Sequence, residues 1–219
     1  YIMNLSKNTI ELLDNFTSIN PSILVKKGNK LRTIAIEKNV FANAEIEETF
    51  DQDFAIYDLN SFLGALSLFE KPTLDFQKGY VNISQAGNSC KYFFADPAVI
   101  VTPPEEDISL PDVDIKFKLP HASIDKLLKA ASILAVEDVI IKSNGGKVVM
   151  EAADNKNSSS NSFTIELGSY DGEDFSASVK TYHINIIPTD YDIEVSKAGI
   201  SKWYSKDRSV TYYIAMTIN

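Results

Sequence analysis

Side chains able to do chemistry are few in this chain, and their spacing supports little of it. Two histidines, His121 and His183, and one cysteine, Cys90, are the only imidazoles and thiol among 219 residues. A zinc centre needs about four ligands at short regular spacings, and neither C-x-x-C nor H-E-x-x-H occurs. No G-x-x-x-x-G-K-[ST] and no G-x-G-x-x-G is present to cradle phosphates on backbone amides. A serine nucleophile would need a base. His121 follows Pro120 at the start of an expected helix and His183 lies in a strand-like run, so both read as structural. Two acidic clusters, Glu45-Glu47-Glu48-Asp51-Asp53 and Glu105-Glu106-Asp107, offer carboxylates to a divalent metal. Without partners in a repeated spacing they read as solvated faces and a linker. The expectation is a protein that is not an enzyme and holds no metal or cofactor.

Such residues need a scaffold, and the composition supplies one. With 44% hydrophobic and 23% charged residues, the chain can build a large core in one domain or in two of about 110 residues. The formal charge is −9, from 21 basic and 30 acidic residues, and a split after Asp107 leaves −6 and −3. That balance argues against gripping nucleic acid over the whole surface, though not against gathering a few cations on one face. A single cysteine excludes an intrachain disulfide and fits a reducing cytoplasm. No apolar run approaches the roughly 18–20 residues of a membrane span. Met3, close behind Tyr1, is the expected native start.

Periodicity predicts a helix from Ser6 to Phe16, with Thr9, Leu12, Leu13 and Phe16 on one face, ended by Asn20-Pro21. Strand-like runs follow at 22–26, 31–36 and 41–46, then a helix at 58–68 and strands at 74–77, 80–84 and 90–94. Prolines 97, 103, 104 and 111, mixed with acidic residues, mark an extended linker over 97–111 between domains 1–96 and 112–219. A similar order then recurs: strand 113–119, helix 123–134, a hairpin about Asn144-Gly145-Gly146, and strands at 163–167, 175–187, 191–195 and 210–218. Phe54–Asp96 and Ser176–Thr217 share a strand, a helix or turn, a proline, further strands and an aromatic closing strand. In the second copy the helix has shrunk to a turn at most. The chain reads as two copies of one α+β unit.

At this point L-S-K-N-T-I-E-L-L-D-N-F-T-S-I-N near the start, D-F-A-I-Y-D-L-N-S-F-L-G-A-L-S-L (53–68), A-D-P-A-V-I-V (95–101) and L-G-S-Y-D-G-E (167–173) carry a likeness. The chain resembles the DNA polymerase sliding clamps of T4-type phages over nearly its whole length. The resemblance implies a two-domain DNA clamp fold, with helices on one face of antiparallel sheets, forming a homotrimeric ring around duplex DNA without regard to sequence. It implies the replicative polymerase, an ATP-driven clamp loader and the late transcription machinery as partners, in the cytoplasm of an infected bacterial host. Helices then line the hole. On 123–134, Lys126 and Lys129 lie nearly opposite the core face, so both would meet DNA; Lys7 and Lys71 are the candidates from the first domain, where Asp14 departs from the family's more basic pattern.

The resemblance further implies edge-to-edge subunit contacts, a strand near 89–95 (Lys91, Tyr92, Phe93) meeting one near 161–167 (Phe163, Thr164, Ile165) of the next copy. Partner tails would dock between the domains beside the linker, with Val99, Val101 and Ile108 as the wall. Two other readings stand beside this one: a non-catalytic protein-binding scaffold that never encircles DNA, and an enzyme using the Glu45–Asp53 carboxylates with a metal.

Overall fold

The computed structural model describes all residues from Tyr1 to Asn219. The chain divides into two compact units, Tyr1–Glu105 and Glu106–Asn219. The first runs β1 (Ile2–Met3), α1 (Lys7–Thr17), β2 (Ile23–Val25), β3 (Gly28–Ile34), β4 (Val40–Phe50), β5 (Phe54–Ile56), α2 (Leu59–Ser67), β6 (Thr73–Phe76), β7 (Tyr80–Gln85) and β8 (Asn88–Phe93), then a 3₁₀ turn at Pro97–Val99. The second runs β9 (Ile115–Leu119), α3 (His121–Leu134), β10 (Asp138–Asn144), β11 (Lys147–Ala153), β12 (Phe163–Ser169) and β13 (Ser176–Lys180). A 3₁₀ turn at Thr181–His183 leads into β14 (Tyr191–Ser196), β15 (Ile200–Ser205), β16 (Val210–Ala215) and β17 (Thr217–Ile218).

Pairing exposes the duplication. In the first unit β1-β6-β7-β8 form one antiparallel sheet, β2 pairs with β5, and β3 with β4. In the second, β9-β14-β15-β16 repeat that order, β10 pairs with β13, and β11 with β12. The units therefore match strand for strand. The turn at Thr181–His183 occupies the slot of α2, and β17 is an addition. No helix is long and apolar enough to cross a membrane.

Local chemistry explains the elements. Ser6 caps α1, its Oγ accepting from the Thr9 N–H at 3.2 Å, while Thr9, Leu12, Leu13 and Phe16 are buried. Glu48 reaches over from β4 and accepts from the Ser6 N–H and, at 2.6 Å, from the Thr9 hydroxyl. Asp58 caps α2 through the Ser61 N–H at 3.0 Å, and Leu59, Phe62 and Leu66 are buried. The third helix begins at His121, two residues before its expected start, because the Asp190 carboxylate accepts the His121 N–H at 2.7 Å. It buries Ile124, Leu127 and Ala131. Helix α1 lies against α2 and β4, and α3 against β11 and β12.

Other departures from the sequence reading also have physical reasons. The strand expected over 175–187 ends at Lys180, and His183 lies in the 3₁₀ turn rather than in a strand. There the Thr181 N–H turns to the Glu137 carbonyl at 2.8 Å, and Ile184 and Ile187 sink into the core. The Tyr212 hydroxyl accepts the Ile187 N–H at 3.1 Å and the Tyr191 hydroxyl donates to its carbonyl at 2.5 Å. Burial pushes the Tyr212 phenol up to about 12, so it stays a neutral partner. The run 210–218 is broken at buried Met216, whose N–H donates to the Gly199 carbonyl. Strand β15, absent from the sequence reading, carries fully buried Trp203 between polar neighbours. The 144–146 hairpin closes on Gly145 and Gly146, both at positive φ (57° and 80°), as a two-residue turn requires. In the 167–173 motif, a Cβ on Gly172 would sit 2.5 Å from the Tyr170 hydroxyl, which donates to the Glu173 carbonyl, so a larger residue there would have to displace that ring.

Glu48 gives a pH-dependent test. Burial alone would raise its carboxyl, but hydrogen bonds from Thr9 and Ser6 outweigh that and hold it below the usual glutamate range. Its stabilisation is therefore complete above the ordinary value of about 4.3 and is lost as pH falls through the lower folded value. Glu48→Ala, which orphans the Ser6 N–H, should cost about 1–3 kcal/mol by urea unfolding at neutral pH. The gap to the unaltered protein should narrow as the solution is acidified below about pH 4.

Candidate docking pocket and helix surface

A cavity of about 440 Å³ opens on the first unit, lined by Ile36, Tyr57, Val99 and Val101 among others. Its rim is unusually apolar: Ile36 is 63% exposed, Tyr57 64% and Val99 59%. Exposed apolar side chains gathered in this way make a candidate docking site. Each rim residue is placed by hydrogen bonding nearby. Asp96 accepts from the Ala98 N–H at 2.9 Å and caps the 3₁₀ turn that presents Val99, while Ile100 is buried as its anchor. Asn20, itself buried, donates to the Ile34 and Val101 carbonyls at 3.0 and 3.2 Å and accepts the Ser22 N–H. Ser22 in turn donates through Oγ to the Tyr57 carbonyl. Ile36 rides a tight turn closed by the Lys38 N–H and the Ala35 carbonyl. Val99 and Val101 thus come together; Ile108 falls in the second unit, half-buried, and does not line this cavity. Sequence reasoning missed Ile36, Tyr57 and Asn20. Its one available signal was an isoleucine in the polar turn 35–39.

The helix surfaces carry few charges. Lys126 projects from α3 with no ion pair, and Lys129 on the same face pairs with Asp125 at 2.9 Å. Exposed Ile133 (82%) continues that face. Lys7 opens α1 and pairs with Glu11 at 3.7 Å, with exposed Asp14 beyond, so α1 carries more acid than base. Lys71 follows α2 and holds its N–H to the Gln85 side chain; α2 itself has no charged residue. Positive charge on the helices is concentrated on α3.

Among the strands that end a sheet are β8, beside β7 alone, and β12, beside β11 alone. Along β8, Lys91 and Phe93 face outward, with the Lys91 ammonium 4.0 Å from the Tyr80 ring centroid and 5.3 Å from that of Phe93. Tyr92 turns inward, its ring against Phe62 and its hydroxyl on the Asp58 carbonyl. Along β12, Phe163 and Ile165 are half-buried and Thr164 and Glu166 exposed. The acidic cluster has other employment: Asp53 pairs with Lys26 at 2.6 Å, Asp51 with Lys27 at 3.9 Å, and Glu48 caps α1. No three histidine, cysteine or acidic side chains converge on a point where a metal would sit.

Comparison with known proteins agrees with this architecture. The family described as DNA polymerase processivity factor matches residues 6–102, and that described as gp45 sliding clamp, C terminal, matches 116–218. The chain is 32% identical to the sliding clamp of Vibrio phage KVP40 over 219 residues, covering 97% of this chain and 98% of that one. It is 29% identical to the sliding clamp of Enterobacteria phage T4 over 223 residues, covering 98% and 96%. Among solved structures, A. fulgidus PCNA bound to the C-terminal region of FEN-1 superposes with a TM-score of 0.74 at 12% identity, covering all of this chain and 98% of that one. The fold is the two-domain clamp fold.

Asn20 is the residue on which the pocket depends. Asn20→Ala removes two donors and one acceptor from a buried site and should cost about 1–3 kcal/mol. Amide hydrogen exchange should accelerate over 97–102 while α3 keeps its protection.

Proposed function

The chain belongs to the phage sliding clamps, the DNA polymerase processivity factors, and on that premise we propose that three copies close into a ring around duplex DNA. The ring holds the replicative polymerase to its template and does no chemistry of its own. The observation that carries this reading is the pair of open edges, one on each unit: β8 of one copy continues the sheet at β12 of the next. A head-to-tail contact that closes on itself leaves neither of these two edges free. Lys91 and Phe93 then meet Thr164 and Glu166 outside the strand pairing, while Tyr92, Phe163 and Ile165 hold each edge to its own core.

Helices face the hole. Lys126 and Lys129 attract the phosphate backbone as flexible point charges that read no bases, so the duplex slides. Lys7 and Lys71 contribute less, since Glu11 and Asp14 offset the first. The net charge of −9 keeps the outer surface from holding DNA. Apolar tails of partner proteins dock against Ile36, Tyr57, Val99 and Val101. The polymerase, the clamp loader that opens the ring, and the late transcription machinery of the phage share this pocket in turn, in the cytoplasm of the infected host. The partner peptide on the A. fulgidus relative supports the tail-docking part of this reading.

Two measurements test it. In sedimentation the protein should run as a trimer, and Phe93→Asp should shift it towards a folded monomer; a monomer without the substitution would sink the ring. Replacing Lys126 and Lys129 with alanine should leave folding within about 0.5 kcal/mol, as for exposed charges elsewhere. Processive synthesis on a loaded primer-template should fall, more steeply at higher salt, with Lys126→Ala the more harmful single change because Asp125 already offsets Lys129. A Lys118→Ala, Lys206→Ala pair should do little. Equal loss from both pairs would show that α3 does not face DNA.

A further inference from the structure

We infer that the first unit carries a second, basic subsite next to its apolar docking pocket, which selects partner tails bearing acidic residues beside their apolar anchor. The inference rests on the docking reading above for its anchor, and on separate observations for its charge. A cavity of about 380 Å³ is lined on one side by Lys26, Lys27, Lys30 and Arg32 and on the other by Thr102 and Glu105 of the connector. The first unit has nine lysines and arginines in all, and four of them gather here in a chain of net charge −9. Their neutralisation is incomplete. Lys26 is matched by Asp53 at 2.6 Å, but Asp51 stands 3.9 Å from Lys27, and no carboxylate lies within ion-pair distance of Lys30. Arg32 is held in place over the Phe41 ring, its guanidinium 5.2 Å from the centroid. Neither Asp51 nor Asp53 lines the cavity; Glu105 is the one acid that does.

Strand alternation fixes which way this site faces. Along β2, Ile23 and Val25 are buried beneath α1 and α2 with Leu13, Leu59 and Phe62, while Leu24 between them lines the basic cavity. Along β3, Leu31 joins the same core and its neighbours Lys30 and Arg32 line the cavity. The subsite therefore opens on the face away from the helices. Duplex DNA, held on the helix side, is not its ligand. An extended acidic segment of a docked protein is.

The connector sets the spacing. Val99, Ile100 and Val101 line the apolar pocket and Thr102 begins the wall of the basic one. A peptide running along it at about 3.3 Å per residue would bring a carboxylate to the lysines within roughly two to five residues of its apolar anchor. Glu105 has to share the cations with the incoming acid, which weakens the site for a singly charged segment and favours a run of carboxylates.

Hexaglutamate tests the charge reading without an apolar anchor. Added at low salt to the full ¹⁵N-labelled chain, it should shift the amides of 26–32 and 102–105 saturably, and raising the salt should reverse the shifts. Lys27→Glu with Lys30→Glu, both exposed, should weaken binding by about tenfold, and Lys118→Glu with Lys206→Glu should leave it nearly unchanged. Shifts that centre on α3, no shifts, or equal weakening in both variants would overturn the inference. So would a short duplex DNA that moves the same amides as strongly, since the site would then be one for phosphate. Val99→Asp separates the two readings: it should abolish docking of an apolar tail and leave hexaglutamate binding intact.

Discussion

Unpaired backbone along two sheet edges is the constraint around which this molecule is organised. Each exposed N–H and carbonyl on β8 and β12 is satisfied by water or by another strand, and an edge left open recruits strands indiscriminately. Exposed charge, Lys91 on one and Glu166 on the other, is what the chain uses to blunt these edges. No proline interrupts either strand, and Phe93 lies bare at the end of one. The chain also anchors them. Tyr92 is tied to α2 through Phe62 and Asp58, and Phe163 and Ile165 are half-buried, so the edges are anchored as well as open. An anchored open edge is suited to one well-defined partner strand.

Much of this was legible in the sequence because the dominant signals were local. Apolar periodicity located all three helices, and the caps Ser6 and Asp58 are visible as residue types. The glycine pair at 145–146 announced its hairpin. The duplication was legible because both copies keep the same order of elements. What escaped depends on residues far apart in the chain. The early start of α3 needs Asp190, and the end of β13 needs the Glu137 carbonyl. Strand β15 hides Trp203 among serines and lysines, and its burial comes from β14 and β16 on either side. The lining of the apolar cavity was half legible. Val99 and Val101 stood out as apolar residues in an unstructured stretch, whereas Ile36 and Tyr57 reach them only through folding, and Asn20 looked like an ordinary helix terminator.

Charge is distributed with similar economy. A strongly acidic chain places its unpaired helix cation at Lys126 and gathers four more beside the connector. Local concentration, rather than total charge, decides what such a protein holds. Two of the carboxylates in the 45–53 run, read from the sequence as a solvated face, fix structure: Glu48 ties β4 to the start of α1, and Asp53 ties β5 to the turn before β3.

The two edges differ chemically, since one presents a cation among aromatic rings and the other a threonine and a carboxylate. Unlike ends mate in one sense only, so in the proposed assembly no copy can be inserted upside down. The closed object then has a front and a back, and every connector pocket opens towards the same side. A machine seated there knows which way along the template it is pointing, although the contact with the template itself is blind to sequence.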